Sequence, residues 1–342
     1  MGYQAGQSNQ TGEGVTAVGY HAGYYVTATD NTFVGEEAGF FVTTGTDNTY
    51  IGANTGPNAN SSTGSENTGV GSAAGTALTT GHRNTLLGSY SGDAITTGYE
   101  NDALGYLALS ANTEGRHAVA IGAQALANQN PSSASSTYNV AVGYNAGGAI
   151  TTGTNNTFVG GLAGDAMTTA ARNVGVGYAV LTASTASDNT AVGWAAMNVA
   201  TSGNANVAVG RSALAANTTG GSNTAIGYLA ADAVTTGNNN VAVGAGALGA
   251  NTVGDRNVAI GNNALTVYNP ASNEDSYNVA IGHDAGQAVT TATNNTLIGG
   301  IAGDAITTGN NNVAVGKDAA AVLTTGADNT FLGAFAGEAA TL

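Results

Sequence analysis

A five-residue signature, Asn-[Thr/Val]-x-[Val/Ile/Leu]-Gly, recurs from one end of the chain to the other. Its final glycines are Gly19, Gly35, Gly52, Gly71, Gly88, Gly105, Gly122, Gly143, Gly160, Gly177, Gly193, Gly210, Gly227, Gly244, Gly261, Gly282, Gly299, Gly316 and Gly333, and Gly2 falls in the same series. Most intervals are 17 residues, with two of 16, one of 19 and two of 21. The 342 residues would ordinarily suggest two domains. A short repeat that fills the chain predicts instead an all-β solenoid of about 20 coils, a parallel β-roll or β-helix in which each coil meets only its neighbours. The expectation is one continuous domain over residues 1–342.

One coil, Asn295 to Asn311, shows the expected division of labour. The residue before the marker glycine is apolar in every coil (Val34, Ile51, Val70, Leu87, Leu104, Ile121, Val142) and reads as a row of the private core. Three residues after the glycine stands a small residue, usually Ala (Ala38, Ala74, Ala108, Ala163, Ala302), expected against a crowded wall. A second short strand is predicted next, as in Asp304 to Thr308, before a Gly–Asn turn, where φ > 0 costs little. Stacking should align Asn with Asn and Thr with Thr in hydrogen-bonded ladders. So narrow a coil encloses a thin core, and thin cores usually need oligomerisation. The apolar positions of the second strand (Ile95, Ile150, Met167, Val234, Val289, Ile306) look surplus to a monomer and are assigned to the interface of a symmetric homo-oligomer. Periodicity does not count the chains.

Turn insertions lie near 57–67, 129–139 and 268–278, and all three prolines fall within them. The first is assigned to the same turn as the other two, so that all should project from one face. Two readings stand, drift of a tolerant turn and recognition loops, the latter with Tyr138, Tyr268 and Tyr277 as contacts.

Composition removes several function classes. Six Lys and Arg against 21 Asp and Glu give a formal charge of -15, leaving no basic footprint for nucleic acid and no polybasic membrane anchor. No apolar run approaches the eighteen or so residues that span a bilayer. The N-terminal segment lacks the basic and apolar regions of a signal peptide. With no Cys there are no disulfides or thiolate metal sites. Gly does not recur at every third position, so collagen is excluded.

The repeat core, read at Asn206–Gly210, Asn240–Gly244, Asn257–Gly261 and Asn278–Gly282, resembles the head repeats of YadA-like trimeric autotransporter adhesins and related repeats of bacteriophage tail fibres and virion appendages. The resemblance spans essentially the whole chain. It implies a left-handed parallel β-roll and a homotrimer. The period departs from it, commonly about 14 residues in the adhesin heads and 17 here, so the outer turn must be larger. The family's coiled-coil stalk and membrane barrel do not occur in these residues, which favours a virion fibre over an autotransporter. Both ends fall inside the repeat without a distinct cap, so the chain is expected to adjoin further segments or copies of itself.

No catalytic pattern emerges. His21, His82, His117 and His283 occupy different coils or turn positions and form no HExxH motif, and no GxSxG elbow is present. Acidic residues recur at Asp93, Asp165, Asp232 and Asp304 and at Asp30, Asp47, Asp188 and Asp328. Solvated carboxylates are the default reading, with weak calcium binding as the alternative. Thr pairs such as Thr96-Thr97 and Thr307-Thr308 raise ice binding as a remote reading, but adjacent Thr point to opposite sides of a strand. The expected function is a non-enzymatic structural or adhesive rod without a cofactor, in a virion or at a cell surface, contacting a glycan or protein receptor. A bacterial adhesin head or extracellular filament is the alternative.

Overall fold

A computed structural model describes residues 2–58, 61–199 and 202–338 and divides into two compact units, residues 1–172 and 173–342. Among the described residues, unit 1 carries nine strands of three residues each, numbered in chain order from β1 (Thr16–Val18) to β9 (Thr157–Val159). Unit 2 carries ten, from β10 (Val174–Val176) to β19 (Thr330–Leu332). Within each unit successive strands pair in parallel and residue for residue, as in Thr32↔Thr49, Phe33↔Tyr50 and Val34↔Ile51. Each unit is therefore a parallel β-solenoid, as the repeat predicts.

The strands are short because the marker glycine ends them. From Gly19 onward its φ lies between 116 and 143°, a region that side chains avoid. A Cβ on Gly35 would also stand 2.4 Å from the Gly52 carbonyl oxygen of the next coil.

Which strand residues face inward differs from the expectation. Side chains alternate along a strand, so a three-residue strand buries either its centre or both flanks. Here the centre is buried: Phe33, Leu86, Ala103, Ala120, Phe158 and Leu297 are fully enclosed. The residue before the marker glycine faces outward, and Ile51, Ile121 and Ile226 are about 40% exposed (39%, 38% and 40%). A coil of 17 residues has room at its centre for Ala in most coils, whereas the β-branched flanks fit the pleated outer surface.

The segment after the marker glycine also departs from the expectation, because no second strand forms among the described residues. It is a run of tight turns, with Ala22 N–H donating to Gly19 O (3.4 Å) and Val26 N–H to Gly23 O (3.2 Å). The second and fourth residues of the run take positive φ, for example Leu107 (55°) and Leu109 (56°). This alternation sends successive amides to opposite neighbours. His21 N–H bonds Tyr3 O of the preceding coil (3.0 Å), and Gly23 N–H bonds Ala38 O of the following one (2.8 Å). Backbone bonds to both neighbouring coils offset the cost of left-handed residues without glycine's freedom.

The apolar row expected at an oligomer interface is core instead. Ile95, Ile150, Met167, Val234, Val289 and Ile306 are all 0% exposed. The narrow interior fills by exchange among three positions. Where the fourth residue after the marker is Gly, the seventh is most often a large apolar residue, as in Gly92 with Ile95 and Gly303 with Ile306. A Cβ on Gly92 would lie 2.7 Å from Leu86 Cδ2 and 2.8 Å from Ile95 Cδ1. Where the fourth residue is Leu, the seventh is often polar: Leu109 with Asn112, Leu126 with Gln129, Leu248 with Asn251. Asn112 then clasps the next turn, its Oδ1 accepting from Gly115 N–H (2.9 Å) while Nδ2 donates to Gly115 O (3.1 Å). The Ala row three residues past the marker is buried as expected, from Ala22 and Ala38 through Ala302 and Ala319.

The expected ladders are present. The buried Asn84 amide donates from Nδ2 to Asn67 Oδ1 (3.0 Å) and to Gly98 O (3.0 Å). Its Oδ1 accepts from the backbone N–H (3.2 Å) and Nδ2 (3.0 Å) of Asn101. The same pattern recurs in unit 2, as at Asn206, Asn223 and Asn240. A Thr ladder runs beside it, each hydroxyl donating to the next coil's carbonyl, as in Thr79 to Thr96 O (3.0 Å) and Thr218 to Thr235 O (3.0 Å).

Candidate recognition surface

The outward strand face of each unit is a continuous apolar surface. Its rows are the first and third strand residues, Val207 and Val209, Val241 and Val243, Val258 and Ile260, each half-buried and in register with the next coil. The residue just after the marker glycine borders this face. In unit 2 that position holds Tyr178, Trp194, Arg211 and Tyr228 in four successive coils. All four are exposed, Trp194 at 51%. The Arg211 guanidinium lies 5.1 Å from the Trp194 ring centroid and 5.7 Å from that of Tyr228. Trp, Tyr and Arg over a desolvatable apolar floor are the residue types that concentrate binding energy at protein interfaces. Reading the sequence with the strand phase reversed would have exposed this stripe.

The three insertions do not share one corner. Ser62 replaces Thr in the Thr ladder, accepting from Thr43 Oγ1 at its carbonyl (3.0 Å) and donating to Thr79 O (2.9 Å), so the extra residues precede the ladder. In the 129–139 and 268–278 segments, Asn130 and Asn269 hold the ladder position and the extra residues follow it. The latter two are tied to the preceding coil by parallel bridges, Arg116↔Ser136 and Asp255↔Asp275. Pro131 packs over Gly115, and Pro270 over Gly254.

Of the three tyrosines proposed as contacts, the structure brings two to the surface. Tyr138 is 55% exposed and stacks on His117 at 5.1 Å. Tyr277 is 50% exposed, with Arg256 over its ring at 5.7 Å and its hydroxyl donating to Asp275 Oδ2 at 3.1 Å. Asp275 also pairs with Arg256. Tyr268 is fully buried in the seventh-residue core position, and burial pushes its phenol up to about 12. Contact through its ring would require the coil to open.

The residue preceding the ladder Asn forms a charged corner in unit 1. Arg83 bridges Glu66 and Glu100 (3.0 Å each), and His117 Nε2 meets Glu100 Oε2 at 2.8 Å. These contacts hold the Glu100 carboxyl below its ordinary value. Alternating sign avoids the repulsion a ladder of like charges would carry. His82 borders this corner, its carbonyl accepting from Glu100 N–H (3.1 Å), while His21 and His283 contact other residues. His21 bonds Gln4 (2.7 Å), His82 stacks on Tyr99 (4.6 Å) and His283 meets Asp284 (2.9 Å). Among the described residues no group of three or more His, Asp or Glu is placed to hold a metal.

Asp93, Asp165, Asp232 and Asp304 share one coil position, and burial raises the pKa of each, with their own backbone amides opposing it. At Asp304 the Asp318 and Asp284 carboxylates raise it further. In Asp93, Asp165 and Asp304 the buried Oδ1 has no hydrogen-bond partner among the described residues. These carboxyls are therefore less solvated than the sequence suggested. A raised folded pKa means stability that is present when the group is protonated and is lost as pH rises through the folded value. The Asp93→Asn/Asp165→Asn variant is expected to melt above the parent at pH 7. That margin should close as pH falls below the ordinary value of 3.8. Thermal unfolding at a series of pH values checks it; a margin that grew on acidification would contradict the assignment.

The first Thr of the pairs spends its hydroxyl in the ladder, as at Thr96 and Thr151, and its neighbour is exposed, as at Thr97 and Thr152. The ladder hydroxyls, each donating to the next coil's carbonyl, are not free to match an ice lattice. No family model matches the chain, and no curated protein matches it either.

Proposed function

We propose that the chain is a non-enzymatic structural segment of an attachment fibre, a left-handed homotrimeric roll in a virion appendage. The observation that supports this reading is the in-register strand face of half-buried Val and Ile bordered by exposed Tyr178, Trp194, Arg211 and Tyr228. A solenoid whose private core is mostly Ala at the strand centre gains most by covering that face with copies of itself. Six Lys and Arg in 342 residues also leave few tryptic sites, as suits a spacer outside the cell. Receptor contact falls to the insertions, through Tyr138 and Tyr277. A bacterial surface adhesin head or self-assembling filament uses the same surfaces and is separated from the virion reading by whether neighbouring genes encode tail proteins or a secretion barrel.

Light scattering should give a mass near three times 33.1 kDa. The Val209→Glu/Ile226→Glu/Val243→Glu variant should fall to the single-chain mass with its far-UV circular dichroism unchanged, because these side chains point away from the core. A parent of single-chain mass, or a variant that stays assembled, would refute the strand-face assembly.

A further inference from the structure

Four aromatic rings, Tyr24, Tyr25, Phe40 and Phe41, stand together in two successive coils of unit 1. Other coils carry no aromatic residue at these positions, for example Asp93-Ala94 and Asp165-Ala166. The rings stack along the coils, Tyr24 on Phe40 at 5.2 Å and Tyr25 on Phe41 at 5.3 Å with 17° between planes. Tyr25 is 41% exposed. The coil that follows is the one whose insertion precedes the Thr ladder, on this side of the unit. A groove of about 320 Å³ opens there between Tyr25, Phe41, Thr43 and Ser61.

We propose that this groove binds a neutral saccharide, one or two pyranose rings laid against Tyr25 and Phe41. Its volume is at the low end of the roughly 300–1,000 Å³ of small-molecule sites, too small for a folded partner. The C–H faces of a sugar suit the negative face of an aromatic ring. A sugar's hydroxyl rim needs uncharged donors and acceptors, and three of the lining residues, Tyr25, Thr43 and Ser61, carry a hydroxyl. Thr43 already donates to Ser62 O and keeps its lone pairs for a ligand donor. Among the described residues no charged side chain lines the groove, so a charged ligand finds no ion pair there, and the formal charge of -15 disfavours an anionic one. A peptide adding as a strand would need free backbone groups. Those beside the groove are taken, Phe41 N–H by Pro57 O (3.2 Å) and Phe41 O by Ser62 N–H (2.9 Å). The site deepens the attachment reading and rests on it only for biological role, since the groove lies within unit 1.

The test is ligand-observed saturation-transfer NMR on the full chain with neutral mono- and disaccharides (glucose, galactose, N-acetylglucosamine, lactose, cellobiose), and with sialic acid and a sulfated disaccharide as charged probes. At least one neutral sugar should bind. Tyr25→Ala and Phe41→Leu should each weaken it roughly tenfold, and Ser61→Ala by about threefold. Phe41→Leu keeps apolar bulk while removing the ring, so it separates stacking from a folding defect, which circular dichroism monitors. Absence of any neutral-sugar signal up to about 50 mM, tighter binding of the charged probes, or full binding by Phe41→Leu would overturn the proposal. A Tyr25→Ala variant that lost assembly mass would also overturn it, assigning the rings to a contact between copies. Sugar binding by a chain that stays monomeric would sink the fibre assembly and leave the groove standing.

Discussion

Phe158→Ala is expected to destabilise unit 1 by about 3–5 kcal/mol, the range for losing a buried Phe from a core that cannot collapse around the cavity. Collapse is opposed here because the backbone around the ring is fixed from both sides. Gly147 N–H bonds Ala163 O at 2.8 Å, and Gly160 N–H bonds Val142 O at 2.7 Å. The ring occupies space that Gly164 leaves free, since a Cβ there would stand 2.7 Å from it. The same geometry predicts a rescue. Other coils fill that space with Leu at positive φ, as Leu109 and Leu214 do opposite Ala103 and Ala208. Phe158→Ala/Gly164→Leu should therefore recover at least half of the loss, whereas Gly164→Leu alone should be destabilising by overpacking. Chemical denaturation of the three variants checks this. If the double variant is no more stable than Phe158→Ala, the interior does not fill by exchange between the strand centre and the fourth residue of the turn.

That exchange was present in the sequence but unreadable without the strand phase. The period, the Asn and Thr ladders and the buried Ala row follow from repetition alone, because stacking in register places like on like. The phase does not, since in Thr-Phe-Val or Val-Ala-Val the rule that large apolar residues face inward has two answers. It misleads here because the available volume is small, so Val and Ile go to the outer face and Ala to the inner. The same inversion made Ile95 and Ile150 look like an interface when they are core. Other signals needed only counting. Ser62 lies nine residues before its marker glycine and Asn130 lies thirteen before its own, which puts their insertions on opposite sides of the Thr ladder. The aromatic cluster at Tyr24 to Phe41 needed comparison with the same positions in other coils. Its groove could not be read in advance, because it depends on where the first insertion lies.

Asn84→Ala should cost about 2–6 kcal/mol, because it leaves two buried backbone groups without partners at roughly 1–3 kcal/mol each. Gly98 O loses the Asn84 amide, and Asn101 N–H loses Asn84 Oδ1. The chain contains its own control at Ala118, which stands where the ladder expects Asn. Its N–H still bonds Asn101 Oδ1 at 3.1 Å, but it offers nothing to the next coil. The missing acceptor is supplied by Gln129, fully buried, whose Oε1 takes Asn139 Nδ2 at 2.8 Å. Gln129→Leu should consequently cost about 1–3 kcal/mol, although a buried amide becomes an alkyl group of similar size. Adding Ala118→Asn should restore the ladder and return most of that stability. Because each coil meets only its neighbours, amide hydrogen exchange should localise the loss to the coils around residues 101–156 and leave unit 2 protected. A neutral Gln129→Leu, or a loss that Ala118→Asn fails to repair, would show that the interior does not require a continuous amide ladder and that its hydrogen bonds add register without stability.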